Sequence, residues 1–200
     1  GGSLPAGWTA KDVGAPALAG NAAYAGGVFS LCGSGADIWG GADAFQFSYA
    51  GMSGDGQLVA QVLSLTDTDA WAKADVMIRE SLEPDSRFAM TVTTPSNGTT
   101  FQYRTSTSGA ANLQPGLPIG PPAWVRVSRS GDTFSGAVST DGVHWTSIGS
   151  VDIPMGANVH VGLCVTAHNN AATACASFSQ VAFGGGVGIT VTSPSSRIVY

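Results

Sequence analysis

The sequence predicts an all-β chain folded as a two-sheet antiparallel β-sandwich, and three observations carry that expectation. Turn signals recur at short intervals, at Ser53-Gly54-Asp55-Gly56, Asn97-Gly98, Gly131-Asp132, Asp141-Gly142 and Asn169-Asn170. The runs between them alternate apolar and polar residues with period two. No stretch of about ten residues shows an amphipathic helical period, so hairpins account for the pattern and a sandwich accounts for the hairpins.

In chain order, DAFQFSY (43–49) places Phe45, Phe47 and Tyr49 on one face and Gln46 and Ser48 on the other. DAWAKADVMIRESL (69–82) reads as a strand entered through a short loop, and RFAMTVT (87–93) as the next strand. With Asn97-Gly98 as a two-residue type I′ turn, Thr94 faces Phe101 and Val92 faces Tyr103, with Met90 on the same side. Thr91, Thr93, Gln102 and Arg104 then form a polar face. Residues 108–124, SGAANLQPGLPIGPPAW, read as a loop, since four prolines and repeated glycines cannot continue a ladder. WVRVSRS (124–130) and VHVGLCVTAH (159–168) are further strands. If Asn169-Asn170 turns a hairpin, Val161, Leu163, Val165, Ala174, Ala176 and Phe178 share a core face, with His160, Cys164, Thr166, His168, Thr173 and Ser177 opposite. The domain proper spans 5–183. Residues 1–4 read as a tag or linker, and 184–200, opening on a Gly-rich stretch, as a linker and the start of a following module.

Composition narrows the function classes. Two hundred residues with 44% hydrophobic content suffice for one domain with a sizeable core. Only 10% of residues are charged while Gly contributes 28, a balance that fits a turn-rich extracellular β protein. The net charge of -5 comes with no basic cluster, which argues against nucleic acid or an anionic membrane surface as partner. No run approaches the roughly 18 to 20 apolar residues of a membrane span, so membrane insertion is not expected. The N-terminus also lacks the layout of a signal peptide.

Three cysteines, Cys32, Cys164 and Cys175, leave at least one unpaired within the chain. Cys164 and Cys175 flank the Asn169-Asn170 turn and would stand opposite each other in a hairpin. They read either as a cross-strand disulfide, which implies an oxidising compartment, or as small buried thiols. No Cys-x-x-Cys or Cys/His cluster suggests zinc.

Several stretches resemble a known family: GSGADIWGGADAF (33–45), AWAKADVMIRE (70–80), NGTTFQYRT (97–105) and VGLCVTAHNN (161–170). Over roughly residues 5–183 the chain resembles laminin-G/concanavalin-A-like jelly-roll modules related to the DUF1349 domains of secreted multidomain bacterial proteins. The resemblance implies a jelly-roll sandwich attached to glycoside-active or adhesive proteins, and carbohydrate as ligand.

Beside that resemblance, the residues themselves argue against an enzyme. Glycoside hydrolysis needs two carboxyl groups facing each other across a cleft, and the carboxylates here are scattered, mostly in turns such as Asp55, Asp67, Asp132 and Asp141. Glu80 and Glu83 read as solvated surface, and Gly51-Met52-Ser53-Gly54 has the wrong spacing for a serine nucleophile elbow. Sugar binding needs planar amides, guanidinium or imidazole groups against vicinal hydroxyls, and rings against the apolar faces of pyranoses. The polar strand faces supply Gln102, Arg104, Gln46, Arg79, His160 and His168 with little Lys or Glu among them.

Of the tryptophans, Trp39, flanked by glycine, is the best stacking candidate. Trp8, Trp71 and Trp145 read as core or edge closure, and Trp124 as a stacking ring or a cap. Asp37 and Asp43 bracket a Gly-rich turn and could hold a structural calcium ion. Asn97-Gly98-Thr99 matches a glycosylation sequon but is accounted for as a turn. The expectation is a non-catalytic carbohydrate-binding module of a secreted or cell-surface bacterial protein, with a polysaccharide or other glycan and the neighbouring domains of the same polypeptide as partners. The rival reading is a structural or adhesion module that spaces or assembles surface domains without binding glycan.

Overall fold

The computed structural model describes residues 2–184; the segment 185–200, where a following module was expected, lies outside the described residues. Fourteen strands and no helix make up the described chain. In order they are β1 (Thr9–Val13), β2 (Asn21–Ala25), β3 (Val28–Gly33), β4 (Phe45–Ser53), β5 (Gly56–Leu65), β6 (Lys73–Arg79) and β7 (Phe88–Thr93). They continue with β8 (Thr99–Arg104), β9 (Asn112–Leu117), β10 (Ala123–Ser130), β11 (Thr133–Ser139), β12 (Thr146–Asp152), β13 (Asn158–Thr166) and β14 (Ala174–Gly184).

The strands form two seven-stranded sheets, β1-β4-β13-β6-β7-β8-β9 and β12-β11-β10-β5-β14-β3-β2. Every pairing is antiparallel, so the predicted jelly-roll sandwich is the observed fold.

The main core lies between the sheets. Val76, Ile78, Phe101, Val161 and Leu163 of the first sheet meet Phe29, Leu58, Val125, Val127 and Phe178 of the second. Trp8 closes it against Phe29, with ring centroids 4.8 Å apart, and Leu4 packs on the same core.

The first sheet is buried on its other face as well. All residues of β6 and β7 are buried, because the loops 34–44, 80–87 and 105–111 fold over the outer face. Backbone hydrogen bonds interlock these loops: Asp43 N to Pro84 O (2.9 Å), Ser108 N to Asp85 O (2.9 Å) and Ala111 N to Gly40 O (3.0 Å). Beneath them is a second, smaller core of Val13, Ile38, Phe45, Phe47, Met77, Phe88, Met90, Ala111 and Cys164.

Three expectations of register and pairing are overturned. Residues 94–98 are all loop, with Thr94 N bonded to Gly98 O and Thr93 opposite Thr99, so the turn is longer than two residues. Gly98 takes a left-handed φ of 67°, which glycine adopts without steric cost. Thr91 therefore faces Phe101 and Ala89 faces Tyr103, while Met90 faces Gln102; the odd-numbered slip moves Met90 and Val92 to the outer face.

In β4 the aromatic residues point outward into the second core, and Gln46 and Ser48 point toward the other sheet, the reverse of the amphipathic expectation. Thirdly, Asn169-Asn170 does not turn a hairpin: β13 belongs to the first sheet and β14 to the second, so the chain crosses the sandwich there. The two strands still contribute the predicted apolar residues to one core, from opposite sides.

That crossing decides the disulfide. Cys164 and Cys175 are in different sheets and do not pair. Cys175 stands opposite Cys32 on β3 and is bonded to it, while Cys164 is a free thiol buried in the second core. The stretch predicted as a loop also contains a strand, β9. Its Pro115 is accommodated because β9 is an edge strand with neighbours on one side only.

Candidate functional site

The outer face of the first sheet holds two clusters of polar side chains. At one end, the alternation of β6 and β8 directs Arg79 and Arg104 outward, and the loop over them supplies Asp43. All three side chains are fully buried. Asp43 Oδ1 lies 2.6 Å from Arg104 Nη2, and Asp43 Oδ2 accepts from Arg104 Nη1 at 3.0 Å and Arg79 Nη1 at 3.1 Å.

One carboxylate cannot neutralise two guanidinium groups, and backbone carbonyls complete the shell. Arg79 donates to Ser81 O and Glu83 O, and Arg104 to Gly40 O, Gly109 O and Ser86 O. Each guanidinium also lies over a ring, Arg79 on Phe45 and Arg104 on Phe88. Burial pushes the Arg79 guanidinium below its ordinary range, and Asp43 opposes that shift. Arg79 and Arg104, expected to contact ligand, are thus structural: their donors are taken up in tying the three covering loops to the sheet.

Toward the other end, the same face opens into a cleft of about 240 Å³ lined by Asp37, Trp39, Trp71, Lys73, Gln102, Leu113 and His168. Trp39 sits on the loop that Arg104 pins through the carbonyls of Trp39 and Gly40. Trp71 is held by a turn in which Asp69 Oδ1 accepts from Trp71 N at 2.7 Å. Asn97 Nδ2, donating to Ala70 O at 2.8 Å, ties that turn to the β7–β8 loop.

Lys73 is buried beneath the cleft, bonded to Asp37 Oδ1 at 2.5 Å and to Ile38 O at 3.0 Å, with its ammonium 5.5 Å from the Trp39 ring centroid. His168, at a left-handed φ of 51°, bridges Asp37 (3.2 Å) and Asp69 (3.0 Å). Gln102 is 1% exposed; its Nε2 donates to Thr100 Oγ1 at 3.0 Å, and its Oε1 has no partner.

The cleft therefore gathers Trp39, Gln102 and His168 of the expected binding residues and leaves the others elsewhere. Gln46 is buried facing the second sheet, its side chain packed over Gly33 and Gly20. His160 lies outside the cleft, edge-on to Tyr49 at 5.2 Å, and burial followed by the nearby Arg79 holds its imidazole below the usual range.

Trp71, Lys73 and Leu113 line the cleft without having been anticipated. The alternation of Lys73, Asp75, Met77 and Arg79 with Ala74, Val76 and Ile78 did carry a signal for Lys73, since it puts that residue on the face of Arg79.

The two carboxylates offered for calcium are both committed to cationic side chains: Asp37 to Lys73 and His168, Asp43 to the two arginines. The donor set does not fit an oxygen-ligated ion. Among the described residues no group of three or more His, Cys, Asp or Glu side chains is placed to hold a metal. Between the two ends lies Asp75, buried, with no hydrogen-bond partner on either oxygen among nitrogen and oxygen donors. Desolvation raises its carboxyl to about 7, and burial together with Asp75 pushes up the neighbouring Cys164 thiol.

No protein-family model matches the chain, and no curated protein matches it. Solved structures do share the fold. A functionally unknown protein from Saccharomyces cerevisiae is 16% identical, with 91% of this chain and 98% of that one covered at a TM-score of 0.70. The carbohydrate-binding module CBM66 from Bacillus subtilis is 17% identical over 90% of this chain and 96% of that one, with a TM-score of 0.57. A lectin from Bauhinia forficata, solved in complex with GalNAc, is 8% identical over 89% and 92% at a TM-score of 0.54. Portions of GH43 proteins have the fold as well, so the likeness carries architecture and no activity. The chain is similar to these proteins as a jelly-roll β-sandwich of the kind found in carbohydrate-binding modules and lectins.

Proposed function

We propose that the chain is a non-catalytic carbohydrate-binding module and that a sugar ring occupies the cleft between Trp39 and Trp71. The observation that carries this reading is the open cleft itself: two tryptophans line it, and the buried Gln102 brings an acceptor with no donor of its own. Leaving such an acceptor buried and unmatched costs about 1–3 kcal/mol, and a ligand hydroxyl would remove that cost. The rings supply apolar faces on which a pyranose stacks. The fold shared with a carbohydrate-binding module and a lectin supports the reading at the level of architecture.

Catalysis is not part of the proposal. Lys73 and His168 take up the oxygens of Asp37, and Asp75 lies buried with its proton retained up to about 7, so no pair of free carboxyl groups faces across the cleft. Secretion or surface display fits the Cys32–Cys175 disulfide, a bond favoured in oxidising compartments.

Pull-down on insoluble polysaccharides and a glycan array test the reading, using the intact chain beside Trp39→Ala. Retention that Trp39→Ala removes supports it. Silence across the panel, with the wild-type chain folded, would turn the assignment to a spacing or adhesion module.

A further inference from the structure

The cleft does not end at Trp71. On the far side of that ring and of Leu113, which line both spaces, lies a second depression of about 470 Å³. The β7–β8 loop walls it at Pro95, Ser96 and Asn97, and the segment through Pro115, Pro118 and Gly120 walls the other side. The first cleft alone has the space of about eight waters at ~30 Å³ each, enough for one sugar ring and small against the ~300–1,000 Å³ of ordinary ligand sites. Joined through Trp71, the two fall within that range.

Charge is the second observation. No ionisable side chain lines the second depression. In the first, the Lys73 ammonium is buried and already bonded to Asp37, and His168 is flanked by the carboxylates of Asp37 and Asp69. An acidic sugar would thus find no free cation and two carboxylates close by. The polar groups that remain for a ligand are neutral: the Gln102 amide in the first space and the Ser96 hydroxyl and Asn97 amide in the second.

We infer that the ligand is an uncharged oligosaccharide of at least two residues, lying across both spaces with Trp71 at the junction, and with a hydroxyl donating to Gln102 Oε1. This rests on the carbohydrate-binding reading and deepens it. Pro95, Pro115 and Pro118 stiffen the walls, so the second residue adds contacts at little conformational cost. Affinity rises with chain length up to the length of the groove and then levels off.

Gly120 allows the two spaces to be tested separately. A Cβ there meets only Thr94 O, at 3.5 Å, so a side chain is accommodated without moving the backbone. Gly120→Phe should fill the second space and leave the first intact. Isothermal titration with xylan-, cellulose- and mannan-derived sugars of one to four residues, and with oligogalacturonides of the same lengths, gives the readout.

The expected result has three parts. In at least one neutral series the disaccharide binds about tenfold or more tighter than the monosaccharide, a gain equivalent to one good contact. Gly120→Phe reduces the longer sugars to monosaccharide affinity and leaves the monosaccharide unchanged. Raising salt from low to physiological changes little.

Equal affinity for one and two residues, with Gly120→Phe silent, would overturn the two-space inference while the single-cleft reading stands. Tighter, salt-sensitive binding of the oligogalacturonides would overturn the uncharged class. Binding by none of the sugars would overturn this inference and the function beneath it together. Circular dichroism on Gly120→Phe confirms the fold, and Gly120→Met serves as a second, smaller obstruction.

Discussion

Two ends of one sheet face carry polar residues with the same strand periodicity, and they have opposite fates. At the Asp43 end, loops cover the face completely, and two guanidinium groups and a carboxylate spend all their hydrogen bonds on the chain itself. At the Trp39 end, the covering stops, two tryptophans line an opening, and an amide acceptor stays unmatched. The closed end is a clamp and the open end is the proposed site. Arg104 connects them, since the carbonyls it holds belong to Trp39 and Gly40.

The largest effect on stability is expected at the clamp. Asp43→Ala leaves two buried guanidinium groups without a counter-charge, and removing one partner from a buried ion pair costs about 3–5 kcal/mol. Urea unfolding should record a loss of that size or larger, and Arg104→Ala a similar one. Full stability in Asp43→Ala would mean that the end is open to water. Arg104→Ala is accordingly a poor probe of ligand contact: any binding it loses comes through loss of fold and of the Trp39 loop.

How much of this was legible in the sequence follows from what each residue type encodes. The sandwich was legible because period-two alternation and turn dipeptides are local signals. The second core was not, because nothing local in FQFSY says which of the two faces meets the other sheet. Phe45 and Phe47 looked like main-core residues, and Gln46 looked exposed; a layer of loops over the outer face reversed both. The same layer turned Arg79 and Arg104 from ligand candidates into a clamp. Their guanidinium donors, expected to meet sugar hydroxyls, meet Asp43 and backbone carbonyls instead. Trp39, Gln102 and His168 line the cleft because they sit where that layer ends. The disulfide was missed because sequence proximity favoured Cys164 for Cys175, whereas its actual partner, Cys32, is 143 residues away along the chain.

Asp75, between the two ends, offers a smaller effect with a defined sign. Burial raises its carboxyl to about 7, whereas the unfolded chain releases that proton near 3.8. Between those values the native state holds more protons than the unfolded one, so stability falls as pH rises from about 4 to about 7 and then levels off. Asp75→Asn removes the titrating group. The melting temperature of the variant should decline less than that of the wild type across this window, and the difference in unfolding free energy at about pH 8 should reach of order 4 kcal/mol at most. Parallel pH profiles would show that water reaches Asp75 and that the opening extends further along the sheet than the cleft.

The smallest effect on stability belongs to the open end, and it separates site from scaffold most directly. Trp39 is 36% exposed and makes its main polar contact, with Lys73, through the face of its ring. Removing a ring at that exposure, with its cation–π contact to the buried Lys73, should lower stability by about 1–2 kcal/mol, below the change at Asp43. Glycan binding, in contrast, should fall to the background of the pull-down, because the cleft loses one of its two stacking surfaces. The ratio of the two losses is the informative quantity. A Trp39→Ala chain that unfolds like Asp43→Ala would make Trp39 part of the clamp, and the boundary between closed and open would then have to move to Trp71.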